Sequence, residues 1–159
     1  MASEPLTPDP TAPAARGSIV VGHDGSEGAD RALAEALLLA RDLGTPVVVV
    51  RTWSLATAPR PADSAFGYVP SFEEYAEAVR LALLDDTAAQ VAAFPDVSVA
   101  YRVVHGPAAK HLGEISQQAR LLVVGARGLG GLAGMLLGSV SEQCVRHAAC
   151  PVLVTRGPG

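Results

Sequence analysis

The sequence predicts a single α/β domain built on an open, five-stranded parallel sheet of order 3-2-1-4-5, with helices on both faces. Three observations predict it. Short apolar runs alternate with helix-period segments in the order β-α-β-α-β-α-β-α-β, which implies a parallel sheet covered on both sides. Val47-Val48-Val49-Val50 is a β-branched run without polar alternation, as expected of a strand buried on both faces. Finally, two glycine-dense segments, His23-Asp24-Gly25 and Gly125 to Ser139, follow the first and fourth strand candidates. Right-handed crossovers with one reversal of winding make those strands neighbours, and ligands bind outside the carboxyl ends of strands at such a reversal.

The elements follow in order. Ser18-Ile19-Val20-Val21-Gly22 is a short apolar run closed by glycine, and Asp24-Gly25-Ser26 turns the chain. Ser26 is a helix-capping residue type. Leu33, Ala36, Leu37, Ala40 and Leu43 share a helical face that Gly44 ends. Pro46 opens the valine strand, and Pro59, Pro61, Gly67 and Pro70 mark a long loop over 54–70. Ser71 and Glu74 have capping-box spacing for a second helix reaching about Phe94. Pro95-Asp96 breaks it, and Val97 to Val104 is the third strand. Gly106-Pro107 leads into a short helix bearing Leu112 and Ile115, and Leu121 to Gly125 is the fourth strand. Ser139 starts the last helix, with Ser139 and Glu142 spaced as a capping box, and Pro151 to Thr155 is the fifth strand.

Composition narrows the function classes. The chain has 159 residues, which suits one domain, and 49% of them are hydrophobic, enough for a sizeable core. Aromatic residues make up only 4%, so aliphatic side chains must fill that core. The net charge of −4 argues against a nucleic-acid partner, which calls for a basic patch. No apolar run approaches the roughly 18 residues of a membrane span. Met1 to Arg16 is rich in Pro, Ala and Thr and lacks a basic start and apolar core, so it reads as a disordered leader rather than a secretory signal. The domain proper is expected over 17–157. Cys144 and Cys150 form neither a CxxC pair nor a zinc framework and read as small apolar residues. A cytoplasmic, disulfide-free protein is the default expectation. His105, His111 and His147 share no helical spacing, which argues against a metal cluster.

The chemistry concentrates after the fourth strand. Six glycines lie between Gly125 and Gly138, followed by Ser139 at a helix start. Glycine-rich backbone can approach a ligand closely or visit φ > 0. A helix N-terminus then offers free N–H groups and the positive end of its dipole to an anion, phosphate above all. The plainer alternative is a capped helix after a loop that binds nothing. Walker A chemistry is absent, because the one lysine, Lys110, belongs to another helix. A dinucleotide fingerprint can be laid on Gly128-Leu129-Gly130-Gly131-Leu132-Ala133, but no acidic residue follows Glu142 to take a ribose and only one strand remains. Arg127 is either a solvated loop residue or a phosphate partner. Asp24 is either an Asx-turn residue or a ligand contact. Ser26 lacks the GxSxG setting of a nucleophile, and Glu73, Glu74 and Glu77 read as a solvated helix face.

These residues carry a family resemblance. Gly125, Gly128, Gly138 and Ser139 have the Gly-x2-Gly-x9-Gly-Ser spacing of the ATP-binding signature of universal stress proteins. Ile19-Val20-Val21-Gly22-His23-Asp24-Gly25-Ser26 is similar to the family's first strand and its acidic residue, and Cys150-Pro151-Val152-Leu153-Val154 resembles its last strand. The resemblance spans about residues 17–156 and implies a Rossmann-like fold. It implies ATP as cofactor, alone or with Mg, and the adenine nucleotide as partner. Asp24 matches the ribose contact and Thr52 the position facing adenine. Gly125, Gly128, Gly138, Ser139 and Val140 match the residues lining ribose and phosphates. Gly22, His23, Val124 and Arg127 complete the candidate site, His23 being less typical of relatives.

Three functional readings follow. A regulatory protein whose nucleotide occupancy changes its assembly or an unnamed protein partner, in a stress response, is the favoured one. Slow ATP hydrolysis is the second, although hydrolysis needs a water-positioning base and no carboxylate is placed as one by motif. A dimeric scaffold with an empty site is the third. Strand 151–155 falls at an open sheet edge, which invites a homodimer, and the resemblance implies the same pairing.

Overall fold

The computed structural model describes residues 9–62, 64–129 and 134–157. The observed order is β1 (Ile19–Gly22), α1 (Glu27–Leu43), β2 (Val47–Trp53), α2 (Phe72–Ala92), β3 (Val99–His105), α3 (Ala108–Ile115), β4 (Leu121–Gly125), α4 (Ser139–His147) and β5 (Val152–Thr155). The strands form one sheet in the order β3-β2-β1-β4-β5, and every pairing is parallel. β1 lies between β2 and β4, with Ile19 opposite both Val47 and Leu121.

Strand alternation explains the two cores. Ile19, Val21, Val47, Val49 and Val123 point to one face, where they pack with Leu33 and Leu37 of α1 and Leu83 of α2. Val20, Val48, Val50, Leu122 and Val124 point to the other, against Leu112 and Ile115 of α3 and Cys144 of α4. Since α1 and α2 follow β1 and β2 while α3 and α4 follow β3 and β4, the helices change sides where the winding reverses. That places the carboxyl ends of β1 and β4 next to each other with a helix departing to opposite faces.

Local signals act as their chemistry requires. The Ser26 hydroxyl accepts the Ala29 N–H, and Gly44 closes α1 in the left-handed conformation at φ 64°. The Ser71–Glu74 capping box is formed in both directions. Three expectations need correction. β3 begins at Val99 rather than Val97, because the Val97 N–H turns back to the Phe94 carbonyl and its side chain joins the α1/α2 core. α2 ends at Ala92, two residues before Phe94, where the turn into Pro95 begins. The stretch 9–16 is also not a loose leader. Ala14 is 1% exposed in the α3/α4 core, its N–H donates to the Ile115 carbonyl, and Arg102 of β3 donates to the Ala12 carbonyl. A small side chain there fills the α3 side of the sheet. The rest of the leader, 1–8, lies outside the described residues.

Candidate functional site

The carboxyl ends of β1, β2 and β4 and the first turn of α4 enclose a cavity of about 640 Å³. Each sequence-predicted residue lines it: Gly22, His23 and Asp24 after β1, Thr52 on β2, Val124, Gly125, Arg127 and Gly128 around the end of β4, and Gly138, Ser139 and Val140 at the start of α4. The structure therefore brings together segments separated by more than 80 positions. Gly130, Gly131, Leu132 and Ala133, within the same loop, lie outside the described residues.

The glycines divide into two kinds. A Cβ on Gly125 would sit 2.8 Å from the backbone C and O of Gly28, and one on Gly28 would sit 2.5 Å from the Arg127 carbonyl oxygen. This pair lets the start of α1 press against the end of β4, so Gly125 is required by packing within the protein itself. A Cβ on Gly128 would collide with the Asp24 carboxylate. Gly138 differs. Its φ of −76° suits any residue, and a Cβ there would meet neighbours only at 3.4 Å or beyond. Neither a positive φ nor crowding within the protein therefore requires glycine at Gly138.

The expected Ser139–Glu142 capping box is also absent. Gly138 is the N-cap of α4, and no side chain caps the helix. The Ser139 hydroxyl instead accepts from Gln143, while Ser141 donates to the carbonyls of Ala126 and Gly138 and ties α4 to β4. The first turn of α4, Ser139 to Ser141, thus lines the cavity with no side chain capping its N–H groups, and the helix dipole adds positive potential there. Arg127 supplies a full cation in the same wall.

Asp24 links the two glycine-dense segments. One carboxylate oxygen accepts the Ser26 N–H at 3.0 Å, an Asx-turn contact, and the other accepts the Leu129 N–H at 3.1 Å. The Asx-turn reading of Asp24 therefore holds, and the same side chain lines the cavity.

His23 touches the cavity only through its backbone. Its side chain is fully buried, and its ring nitrogens are occupied. Nδ1 faces the Gly25 N–H at 3.2 Å and the Arg51 guanidinium at 2.8 Å, so it must be the unprotonated acceptor. Nε2 then carries the proton and donates to Asp30 at 3.1 Å. Burial, and next the Arg51 cation, hold the imidazole below its ordinary pKa, with Asp30 and Asp24 opposing in part. Arg51 was missed by pattern reasoning. It is buried, donates to the His23 carbonyl at 3.0 Å and pairs with Asp86 of α2 at 2.9 Å. A charged residue directly after four valines was the available signal, since buried charge demands partners. Trp53, another cavity residue unmarked in the sequence, is held by Phe72 and His105 with ring centroids 4.9 and 4.8 Å away.

Comparison with known proteins places this geometry. The family model described as the universal stress protein family matches residues 16–156. The chain belongs to the universal stress protein family. A universal stress protein of Mycolicibacterium smegmatis is 36% identical over 138 residues, covering 87% of this chain and 45% of the relative. One from Mycobacterium tuberculosis is 36% identical over 151 residues, covering 95% of this chain and 48% of the relative. The chain thus spans about half the length of the curated relatives it matches. Among solved structures, a universal stress protein in complex with cAMP is 26% identical, with a TM-score of 0.65 and coverage of 90% of this chain and 98% of that one. A family member from Burkholderia pseudomallei is 31% identical, with a TM-score of 0.59 and coverage of 87% and 95%. These neighbours share the parallel α/β fold on which the cavity is built. Among the described residues, no helix is long and apolar enough to cross a membrane.

Proposed function

We propose that this universal stress protein binds an adenine nucleotide, ATP foremost, in the cavity at the ends of β1 and β4. The observation that carries the proposal is the uncapped N-terminus of α4 facing a cavity that also holds Arg127 and Asp24. One end of that cavity attracts anions, and the Asp24 carboxylate accepts hydrogen bonds, as a ribose hydroxyl would offer. The similar protein solved with cAMP supports an adenine nucleotide as the ligand class. In this reading the phosphates meet the N–H groups of Ser139 and Val140 and the Arg127 guanidinium, with Mg accompanying them when ATP is bound. Asp24 takes the ribose and the end of β2 at Thr52 takes the base. Occupancy then changes the surface around the site and thereby assembly or a protein partner.

Assembly is proposed through β5. The strand lies at the sheet edge beside β4, and Val152, Leu153 and Val154 are only half-buried, so its outer backbone groups are available to a second copy about a two-fold axis. The test of ligand class is mass spectrometry of small molecules released by denaturing protein purified from cells. An adenine nucleotide near stoichiometric amount supports the reading. A different tightly bound metabolite contradicts it.

A further inference from the structure

The site described above leaves one group unexplained: a buried, uncharged imidazole beneath the turn that carries Asp24. A continuous chain of contacts runs from helix α2 to the glycine loop. Asp86 of α2, 41% exposed, pairs with Arg51 of β2. Arg51 donates through Nε to the His23 carbonyl and through Nη2 to the His23 ring. The ring accepts the Gly25 N–H, and the next carboxylate, Asp24, accepts the Leu129 N–H across the cavity mouth. Gly25 adopts φ +87°, and a Cβ there would lie 3.4 Å from Asp86 and 3.6 Å from Arg51. The turn is therefore seated directly on the Arg51–Asp86 pair.

We propose that His23 is a positioning residue that makes nucleotide binding depend on pH, its neutral ring holding the β1–α1 turn so that Asp24 faces the nucleotide and the glycine loop. The idea rests on the nucleotide reading of the cavity, and its physical basis is the occupancy of Nδ1. A proton on that atom would point an N–H at the Gly25 N–H and at a guanidinium, replacing two accepted hydrogen bonds with two repulsions. Rotating the ring to escape would forfeit the Nε2–Asp30 contact.

The groups facing His23 are Asp24 in its own turn, Asp30 on α1 and Arg51 on β2, with Asp86 on α2 acting through Arg51. The carboxylates favour the charged ring, but burial and Arg51 outweigh them, so the ring stays neutral until the pH falls below its ordinary range. The sign follows. Binding is constant above about pH 6.5, the ordinary histidine value, and weakens as the pH falls through the lower value His23 has in the folded protein. Below that midpoint the binding-competent fraction falls about tenfold per pH unit, and apparent affinity falls with it.

The test has two arms. In the first, cAMP is titrated calorimetrically between pH 5 and 8. Its phosphodiester does not titrate in this range, so the protein alone sets the profile, and circular dichroism confirms folding at each pH. The wild type loses affinity on the acid side, with a midpoint below about 6.5. His23→Asn supplies an oxygen acceptor near the Nδ1 position and cannot titrate, so its cAMP affinity no longer varies across the range. His23→Leu supplies no acceptor and binds weakly at every pH. In the second arm, NMR follows the His23 ring and the Gly25 and Leu129 backbone amides in ligand-free protein. Both amides shift with the midpoint of the His23 ring, and in His23→Asn they do not. A flat wild-type profile, an acid loss that persists in His23→Asn, or amides that ignore His23 overturns the proposal. Absence of cAMP binding at pH 8 contradicts the nucleotide reading instead, and the amide titration still decides the coupling of His23 to the turn.

Discussion

Gly125 and Gly138 belong to one sequence signature, yet only Gly125 is crowded by the protein's own backbone, and a pair of substitutions separates that packing need from the phosphate contact proposed at Gly138. Gly125→Ala places a methyl 2.8 Å from the Gly28 backbone. An ordinary contact needs several tenths of an ångström more, and backbone of α1 must give way to provide it. Overpacking of this kind costs about 1–3 kcal/mol. For a domain of this size that is a fall of about 2–12 °C in Tm. Gly138→Ser behaves differently. The position has N-cap geometry, φ −76° and ψ 170°, with ordinary contact distances around a Cβ. Serine in place of glycine at an N-cap changes stability by only a few tenths of a kcal/mol. Its hydroxyl would, however, accept the N–H groups that a phosphate needs. Losing a hydrogen bond to a charged group costs about 1.5–3 kcal/mol, or about 10- to 150-fold in affinity. Thermal unfolding by circular dichroism and ATP titration by calorimetry read the two effects separately. A Gly125→Ala protein with wild-type Tm, or a Gly138→Ser protein with wild-type ATP affinity, refutes this division of labour.

Further expectations concern single groups. Asp24→Ala, judged by calorimetry, weakens ATP binding by about 1–3 kcal/mol and penalises ribose-bearing ligands more than inorganic phosphate. The depressed pKa of His23 makes the neutral form the native one, so its contribution to stability is complete above about pH 6.5 and is lost as the pH falls towards the folded-state value, which denaturant melts of wild type and His23→Asn compare. Burial pushes the Cys144 thiol up to about 11, so iodoacetamide at pH 8 labels the more exposed Cys150 first, as peptide mass spectrometry detects. Leu153→Lys shifts the proposed β5 dimer towards monomer in light scattering while the cavity, which Leu153 does not line, still takes nucleotide.

The fold was legible because its signals are local and mutually consistent. Four valines, a capping serine and an αL glycine each decide their own neighbourhood, and a βα alternation leaves few topologies open. The cavity's location followed from topology and its glycine-dense walls from composition, whereas Asp24 and Thr52 were marked only by the family resemblance. What a single chain reading did not reveal is which partner each glycine serves. Gly125 answers to Gly28, almost a hundred positions earlier, and nothing local distinguishes that need from a ligand's. The Ser139–Glu142 spacing misled for a related reason: Ser141 is drawn to the Ala126 carbonyl, Gly138 takes the N-cap, and the helix start is left open. Arg51 shows the converse. Its partners, His23 and Asp86, come from other elements, so the sequence marked a buried charge without showing what would neutralise it. Ala14 likewise joined the core because the sheet's α3 side had room for one small side chain from the preceding segment.

The cavity between β1, β4 and α4 is proposed to be an adenine-nucleotide site. Calorimetry on protein freed of bound ligand by unfolding and refolding tests it most directly, with ATP and GTP titrated in parallel at pH 7.5. The expected result is a one-to-one isotherm with micromolar ATP affinity and GTP at least about tenfold weaker, a difference of about 1.4 kcal/mol. No heat with ATP, AMP or cAMP on refolded protein of native circular dichroism would contradict it.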